Sequence, residues 1–437
     1  MNYDLALLLV FYLILYIIFR KYRSKFDVQW KVFALYRTNI GIKLMEKITR
    51  KDQNKNIIIS GVLAIIIGFI IFLYGYLTSN SIIIGIGAII IILGALIAIP
   101  LKVLGYVSIT IGFLGMAFTL FFLVKSAYSL LFVPEAPPGL APVLPGVSIE
   151  GLPKLSFWHW IISILIVAVI HEFCHGIYSR LIKVKIKSTG FAFLGPILAA
   201  FVEPDEKQLS KKKTSEQLHV LSVGPFSNII LAVIILLSLI FIFSPIASAM
   251  VDVNGVEITS IDENMPISKA RISEKDIIRT INGIKIDDIN KIKIVLSDFK
   301  PGDKVNVGTD NGEYELELGA SKEGKPILGV NIAGYDTDVK EKYKFIHPIY
   351  LWIGMLLFWL FNISFGVGLF NLLPLGPVDG GRMFYAAALF FTKDKIKATK
   401  ILTFMSLLIL LLIFINMWPF IFKLLKFIFS PLLLFIK

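Results

Sequence analysis

Apolar residues along this chain gather in long runs separated by short charged segments, with one long polar interval late in the sequence. The runs fall at about 4–19, 57–77, 81–100, 104–124, 157–181, 218–245, 347–371, 399–417 and 419–436. Each is near the length a helix needs to cross a bilayer, so the pattern predicts a polytopic α-helical membrane protein of about nine apolar spans. The first run lacks the small-residue cleavage site of a signal peptide and is read as a retained transmembrane helix. Two stretches break the helical pattern. In 183–203, Gly190, Gly195-Pro196 and β-favouring aromatics predict a strand hairpin. It is apolar yet follows a charge cluster, so it is expected to dip back into the membrane, covered by protein or lining a wet cavity. In 250–338, alternating runs such as Gly255-Val256-Glu257-Ile258 and Tyr314-Glu315-Leu316-Glu317-Leu318 predict strands. Ile267–Arg271 and Asp288–Leu296 predict short helices, and Asn282-Gly283 a turn, giving a small α+β domain.

The pattern implies five segments. Residues 1–130 hold N-terminal helices and a basic loop, 131–249 and 339–392 form two halves of a core, 250–338 is the α+β domain, and 393–437 closes with helices. Composition agrees with a membrane protein, at 56% hydrophobic and a mean hydropathy of +0.77.

The net charge of +13 is not a nucleic-acid signal, because it is unevenly spread. Residues 251–340 carry 17 acidic and 12 basic residues, and the remainder 14 acidic and 32 basic. The excess sits in loops beside apolar runs, as positive-inside topology and anionic lipid contact require. Arg20, Lys21, Arg23, Lys25, Lys31, Arg37, Lys43, Lys47, Arg50 and Lys51 place the first loop in the cytoplasm and the N-terminus outside. Counting spans from there puts the Pro/Gly-rich loop 133–153 outside. The run at 157–181 then ends at an inner cluster of Arg180, Lys183, Lys185 and Lys187. The next span delivers 250–338 to the exterior.

Near the end of that same run stands His171-Glu172-Phe173-Cys174-His175. Two imidazoles and a carboxylate are expensive in hydrocarbon, so a function is expected of them. On a helix His171 and His175 share a face and can reach one metal ion, with Glu172 beside it as general base. Cys174, the single cysteine, excludes an internal disulfide and is read as a variable position rather than a ligand. A third ligand is needed, and Asp379, in Asn371-Leu-Leu-Pro374-Leu-Gly-Pro377-Val-Asp379-Gly380-Gly381-Arg382, reaches the same membrane depth by the span count. Pro374 and Pro377 would break the helix and let Asp379 turn towards the metal. His159, His219 and His347 fall at span ends and are not assigned to the metal.

These motifs resemble the site-2 protease family of intramembrane zinc metalloproteases. The order matches: His171 to His175, then Gly224-Pro225-Phe226-Ser227-Asn228, then Asn371-Leu-Leu-Pro374 with Asp379-Gly380. Between the last two, residues 255–283 are similar to a PDZ-like pattern, from which Arg271 and Lys275 depart where glycines are usual. The resemblance covers about 130–400. It implies one zinc per chain on His171, His175 and Asp379, with Glu172 activating water. Its implied substrates are single-span or membrane-anchored proteins cut within or near their transmembrane segments. Asn371 could donate to a developing oxyanion, and Asn228 is a candidate for substrate binding or helix packing. The hairpin is expected to hold an unwound substrate as an added strand, with Phe193 on its exposed edge. The PDZ-like domain is expected to read substrate or a peptide terminus.

Competing readings are a non-catalytic membrane scaffold that keeps the fold, a metalloprotease with a downstream Glu ligand, and a transporter. The intact Glu172 opposes the first. No Glu follows position 347, which opposes the second, and no paired repeats support the third.

Overall fold

The structure is a computed structural model, and it describes residues 3–29, 33–50, 55–134, 136–147, 149, 151–194, 197–262, 265, 267, 272–321 and 323–433. Met1, Lys31, Lys51, the Gly195-Pro196 turn, and Ala270 and Arg271 of the PDZ-like pattern lie outside the described residues. So does most of the helix predicted at Ile267–Arg271.

The chain opens with α1 (Tyr3–Lys21), strands β1 (Phe26–Gln29) and β2 (Phe33–Thr38), and the short helix α2 (Ile42–Thr49). Helices α3 (Lys55–Leu77), α4 (Ser81–Ala98), α5 (Leu101–Phe132) and α6 (Phe157–Leu181) follow. Next come β3 (Ile186–Leu194), β4 (Ile197–Pro204), the single turn α7 (Glu206–Leu209), α8 (Thr214–Ser238) and α9 (Ser244–Ala249). The polar interval supplies β5 (Val251–Ile261), β6 (Ile277–Ile281), β7 (Ile284–Lys285), α10 (Ile289–Leu296), β8 (Lys304–Thr309) and β9 (Gly312–Glu317). It ends with β10 (Gly319–Ala320), β11 (Pro326–Ile327) and β12 (Val330–Val339). The chain closes with α11 (His347–Asn371), α12 (Asp379–Thr392) and α13 (Lys395–Leu433).

Two compact units result: Met1–Ile242 with Gly354–Lys437, and Phe243–Ile353. In the first, α1, α3, α4, α5, α6, α8, α11 and α13 are long and apolar enough to cross a membrane, eight helices among the described residues. The pattern suggested about nine because 399–417 and 419–436 read as separate spans. They form one continuous helix, since Pro419 stands alone with no polar turn beside it and kinks are the usual result of such a proline. Helices α3 and α4 make a close hairpin. Asn80 caps α4 by accepting the Ile82 and Ile83 N–H groups at 3.1 and 3.2 Å. A Cβ on Gly61 would lie 2.5 Å from the Ala98 nitrogen, so small residues here let the backbones touch.

The basic segment after α1 is more than a loop. Its strands join the predicted hairpin in a four-stranded antiparallel sheet ordered β1-β2-β3-β4. Phe193 pairs with Ala34 on one side and Leu198 on the other, so it lies inside the sheet and not on an exposed edge. The sheet's two edges are β1 and β4, so the edge of the hairpin is β4. Four- and six-residue strands carry too little alternation to be seen alone; pairing with a partner 150 residues away defines them.

In the second unit a six-stranded antiparallel sheet runs β12-β5-β6-β8-β9, with β7 added to β6. Val256, Ile258, Ile278, Ile281, Val305 and Val307 point inwards against Ile292 and Leu296 of α10. This is the α+β domain the alternating pattern predicts.

Candidate active site

Helix α6 carries the histidines, and its start is fixed twice. Ser156 Oγ accepts the His159 N–H at 3.3 Å, and Asp4 of α1 accepts the Phe157 N–H at 3.1 Å while pairing with Lys154 at 3.2 Å. Four residues apart, His171 and His175 project from one face and are 6% and 9% exposed. Asp379 reaches them from a separate segment. Helix α11 stops at Asn371, the Pro-containing link 372–378 turns the chain, and Asp379 begins α12. Gly380 and Gly381 permit that turn. A Cβ on Gly380 would come within 2.3 Å of the Leu372 carbonyl carbon, and one on Gly381 within 2.0 Å of the Leu375 oxygen.

The three side chains converge. Asp379 Oδ2 is 3.0 Å from His171 Nε2 and 3.1 Å from His175 Nε2, and the two Nε2 atoms are 3.1 Å apart. Tetrahedral ligands about 2.0–2.1 Å from a zinc ion stand roughly 3.3 Å from one another, so this spacing suits a shared cation. The surroundings fit the same ion. His175 Nδ1 donates to the Val220 carbonyl at 2.6 Å, leaving Nε2 free to ligate. Asn228 Nδ2 donates to His171 Nδ1 at 3.0 Å, while Asn228 Oδ1 is buried without a hydrogen-bond partner. Turning that amide over lets Oδ1 accept from a protonated Nδ1 and frees His171 Nε2 as well. Helix α8 passes directly over the imidazoles: a Cβ on Gly224 would lie 2.3 Å from His175 Nε2 and 2.8 Å from His171 Nε2. Only a residue without a side chain leaves that space to an ion.

Glu172 turns from the histidines towards the sheet, where its Oε2 accepts the Val202 N–H of β4 at 2.9 Å. A cavity of about 520 Å³ opens beside the triad, lined by Glu172, His171, His175, Asp379, Asn371 and Val202 among others. Asn371 lines it with its amide donating to Val367 at 3.1 Å, one turn back in α11. Asn228 does not line it. It is fully buried with its amide on His171, which fits the helix-packing alternative read for it rather than a place facing substrate. His159 binds Ser156 at 2.7 Å and His219 packs against Tyr106, so neither joins the triad.

Sequence reasoning gave no role at the site to three charged groups around the cavity. Arg382, one turn after Asp379, reaches Glu206 of α7 at 3.0 and 3.1 Å across the cavity mouth. Such an exposed pair contributes under about 1 kcal/mol, so it closes the mouth lightly. Asp205 caps α7 by accepting the Gln208 N–H at 3.1 Å, which holds its carboxyl below the usual range. On the sheet, Arg37 of β2 binds Glu203, Ser188 and Asp27 together.

Apolar helices enclosing paired histidines, an adjacent glutamate and an aspartate from a distant segment define a membrane metallopeptidase architecture. The chain belongs to peptidase family M50, whose model matches residues 159–415, in agreement with the resemblance read from the motifs. It is 32% identical over 225 residues to the uncharacterized protein MJ0971 of Methanocaldococcus jannaschii, across 50% of this chain and 54% of that one. It is 24% identical over 238 residues to the zinc metalloprotease RasP of Shouchella clausii, across 44% of this chain and 54% of that one. The chain thus spans about half the length of the curated relatives it matches. Among solved structures, it is similar to PDZ domains of SdrC-like proteins. That of Listeria monocytogenes is 21% identical, covering 18% of this chain and 88% of that chain at a TM-score of 0.17. That of Listeria innocua is 23% identical, covering 19% and 97% at 0.18.

Proposed function

We propose that the protein is a membrane-embedded zinc endopeptidase, with one zinc per chain, that hydrolyses peptide bonds within or near the transmembrane segments of membrane-anchored proteins. The observation that carries this reading is the convergence of His171, His175 and Asp379 within 3.1 Å beside Glu172, at a cavity. Zinc, when bound, supplies a Lewis acid and lowers the pKa of a water towards neutrality. Glu172 takes the proton of the attacking water and passes it to the leaving amine. His175 and His171 are held in ligating orientation by Val220 and Asn228, and the Asn371 amide in the cavity wall would donate to a developing oxyanion on release from Val367.

Metal content tests the assignment. Asp379→Ala should lower bound zinc about 10–100-fold or more, since even supporting groups around a metal have effects of that size. Undiminished zinc in this variant would remove Asp379 from the site. Cleavage of tagged single-span proteins by the purified wild type should also stop on chelation and return with zinc.

A transmembrane helix hides its peptide bonds, so the enzyme must hold an unwound stretch. The free edge of β4 suits this. Val202 turns its N–H away from β3, and by the two-residue period Ala200 presents its N–H on the same edge. Ala200→Pro removes that donor. It should slow cleavage of stable helices several-fold more than cleavage of substrates loosened by Gly or Pro near the scissile bond, with zinc content unchanged. Equal losses on both substrate types would leave the added-strand reading without support.

The proposed orientation places the N-terminus and the α+β unit outside and the metal site near the cytoplasmic face. It is supported by the basic cluster ending α6 and by the Asp4 contact, which sets the starts of α1 and α6 side by side. The α+β unit is proposed to receive a peptide in its cavity of about 1110 Å³, between α10 and the β11–β12 segment.

A further inference from the structure

At the C-terminal end of α6, away from the metal, a second cavity of about 360 Å³ is walled by α2, α6, the link to β3 and α7. Its described lining includes four cations, Arg50, Arg180, Lys183 and Lys185, and one carboxylate, Glu46. Glu46 is taken by Arg180 in an ion pair. Arg50, Lys183 and Lys185 have no carboxylate partner among the described residues, so three positive charges face a small space without compensation.

The walls are fixed. Asp205 N–H donates to the Lys185 carbonyl at 2.8 Å, and Lys185 N–H donates to Gln208 Oε1 at 3.0 Å. Lys183 stands at φ +60°, closing the end of α6 through its N–H to Arg180 at 3.0 Å. Glycine is the easy residue in that conformation, and a lysine there commits a cation to this side of the turn.

The cavity lies at the end of an apolar helix of spanning length, the level at which lipid headgroups sit. Helix α2 has the matching character. Met45 is buried and packs with Ile42 and Ile48 against α6, while Lys43, Lys47 and Arg50 form a charged face. Leu44 and Ile40 beside them are 52% and 77% exposed. Exposed apolar side chains next to cations at a span end call for a neighbour with both hydrocarbon and negative charge.

We propose that this cavity binds the phosphate of an anionic phospholipid, tying α2, α6 and α7 together at the end of the histidine helix. The shared chemistry is a phosphate group. The exposed Leu44 of α2 and Ile40 just before it favour a lipid over a free anion.

The test uses the full chain in nanodiscs of phosphatidylcholine, titrated with fluorescent phosphatidylglycerol. A cation at an anionic membrane surface is worth about fivefold, so Lys183→Gln/Lys185→Gln should bind phosphatidylglycerol about twentyfold more weakly. The control Lys211→Gln/Lys397→Gln removes the same charge elsewhere and should change binding less than about twofold. Inorganic phosphate at about 10 mM, added at a constant ionic strength of about 0.15 M so that screening is unchanged, should not displace the lipid. Lys185→Gln alone, expected to lose about fivefold, serves if the double variant fails to fold. Equal losses in the double variant and the control would overturn the site. Displacement by inorganic phosphate would overturn the lipid assignment in favour of a free-anion site.

Discussion

Glu172→Gln is expected to lower peptide-bond cleavage by about 10²–10⁴-fold, the usual worth of a positioned general base, with fold and metal content intact. The substitution is close to isosteric. Its amide oxygen can still accept the Val202 N–H, so β4 keeps its place beside α6. What is lost is the capacity to take a proton from water. Because the proposed metal donors are His171, His175 and Asp379 and not Glu172, the variant should bind as much zinc as the wild type. Measuring zinc by mass spectrometry and cleavage of a tagged single-span substrate on the same sample separates the two effects. Cleavage within a factor of about ten of wild type would remove Glu172 from proton transfer.

Gly224→Ala should abolish metal binding by a different route. The added methyl would sit 2.3 Å from His175 Nε2 and 2.8 Å from His171 Nε2, in the space between the donor atoms and α8. Neither imidazole can retreat easily, since His175 is tied to Val220 and His171 to Asn228. Zinc content should fall by more than about tenfold, the lower bound for disturbing even a supporting group around a metal. Cleavage should fall with it. Stability should fall only modestly, because the overpacking cost of about 1–3 kcal/mol is partly offset by alanine's advantage over glycine of about 1 kcal/mol inside a helix. A folded variant, at most slightly less stable than wild type and without zinc, is the expected result. Full zinc occupancy would mean that α8 does not press on the site.

Much of this architecture is legible in order along the chain. Seven of the eight spanning helices follow from run length, because each apolar segment must satisfy its backbone within itself, while the last two runs, read as separate spans, form one helix. His171 and His175 share a face because the helical period alone decides it. The prolines at 374 and 377 announce the break between α11 and α12 for an equally local reason. Where the reading fell short, the cause was a partner distant in sequence. Strands β1 and β2 look like a basic loop until Phe33–Thr38 pairs with β3, and that pairing moves Phe193 from the edge to the interior. Asn228 reads equally as a substrate contact or a packing residue until α8 lays it on His171.

The sequence by itself determined the spans, the histidine helix with Glu172, and the residues among which a third ligand had to be sought. These rest on periodicity, chain stiffness and the cost of polar groups in hydrocarbon, all of which act over a few residues. Tertiary structure alone decided that Asp379, 204 residues after His175, comes within 3.1 Å of it. It also decided that β4 is the hairpin's edge strand, and that a side chain at Gly224 would crowd the histidine nitrogens. Distances between segments far apart in the chain are set by the packing of whole helices and sheets against one another, and no local pattern encodes them.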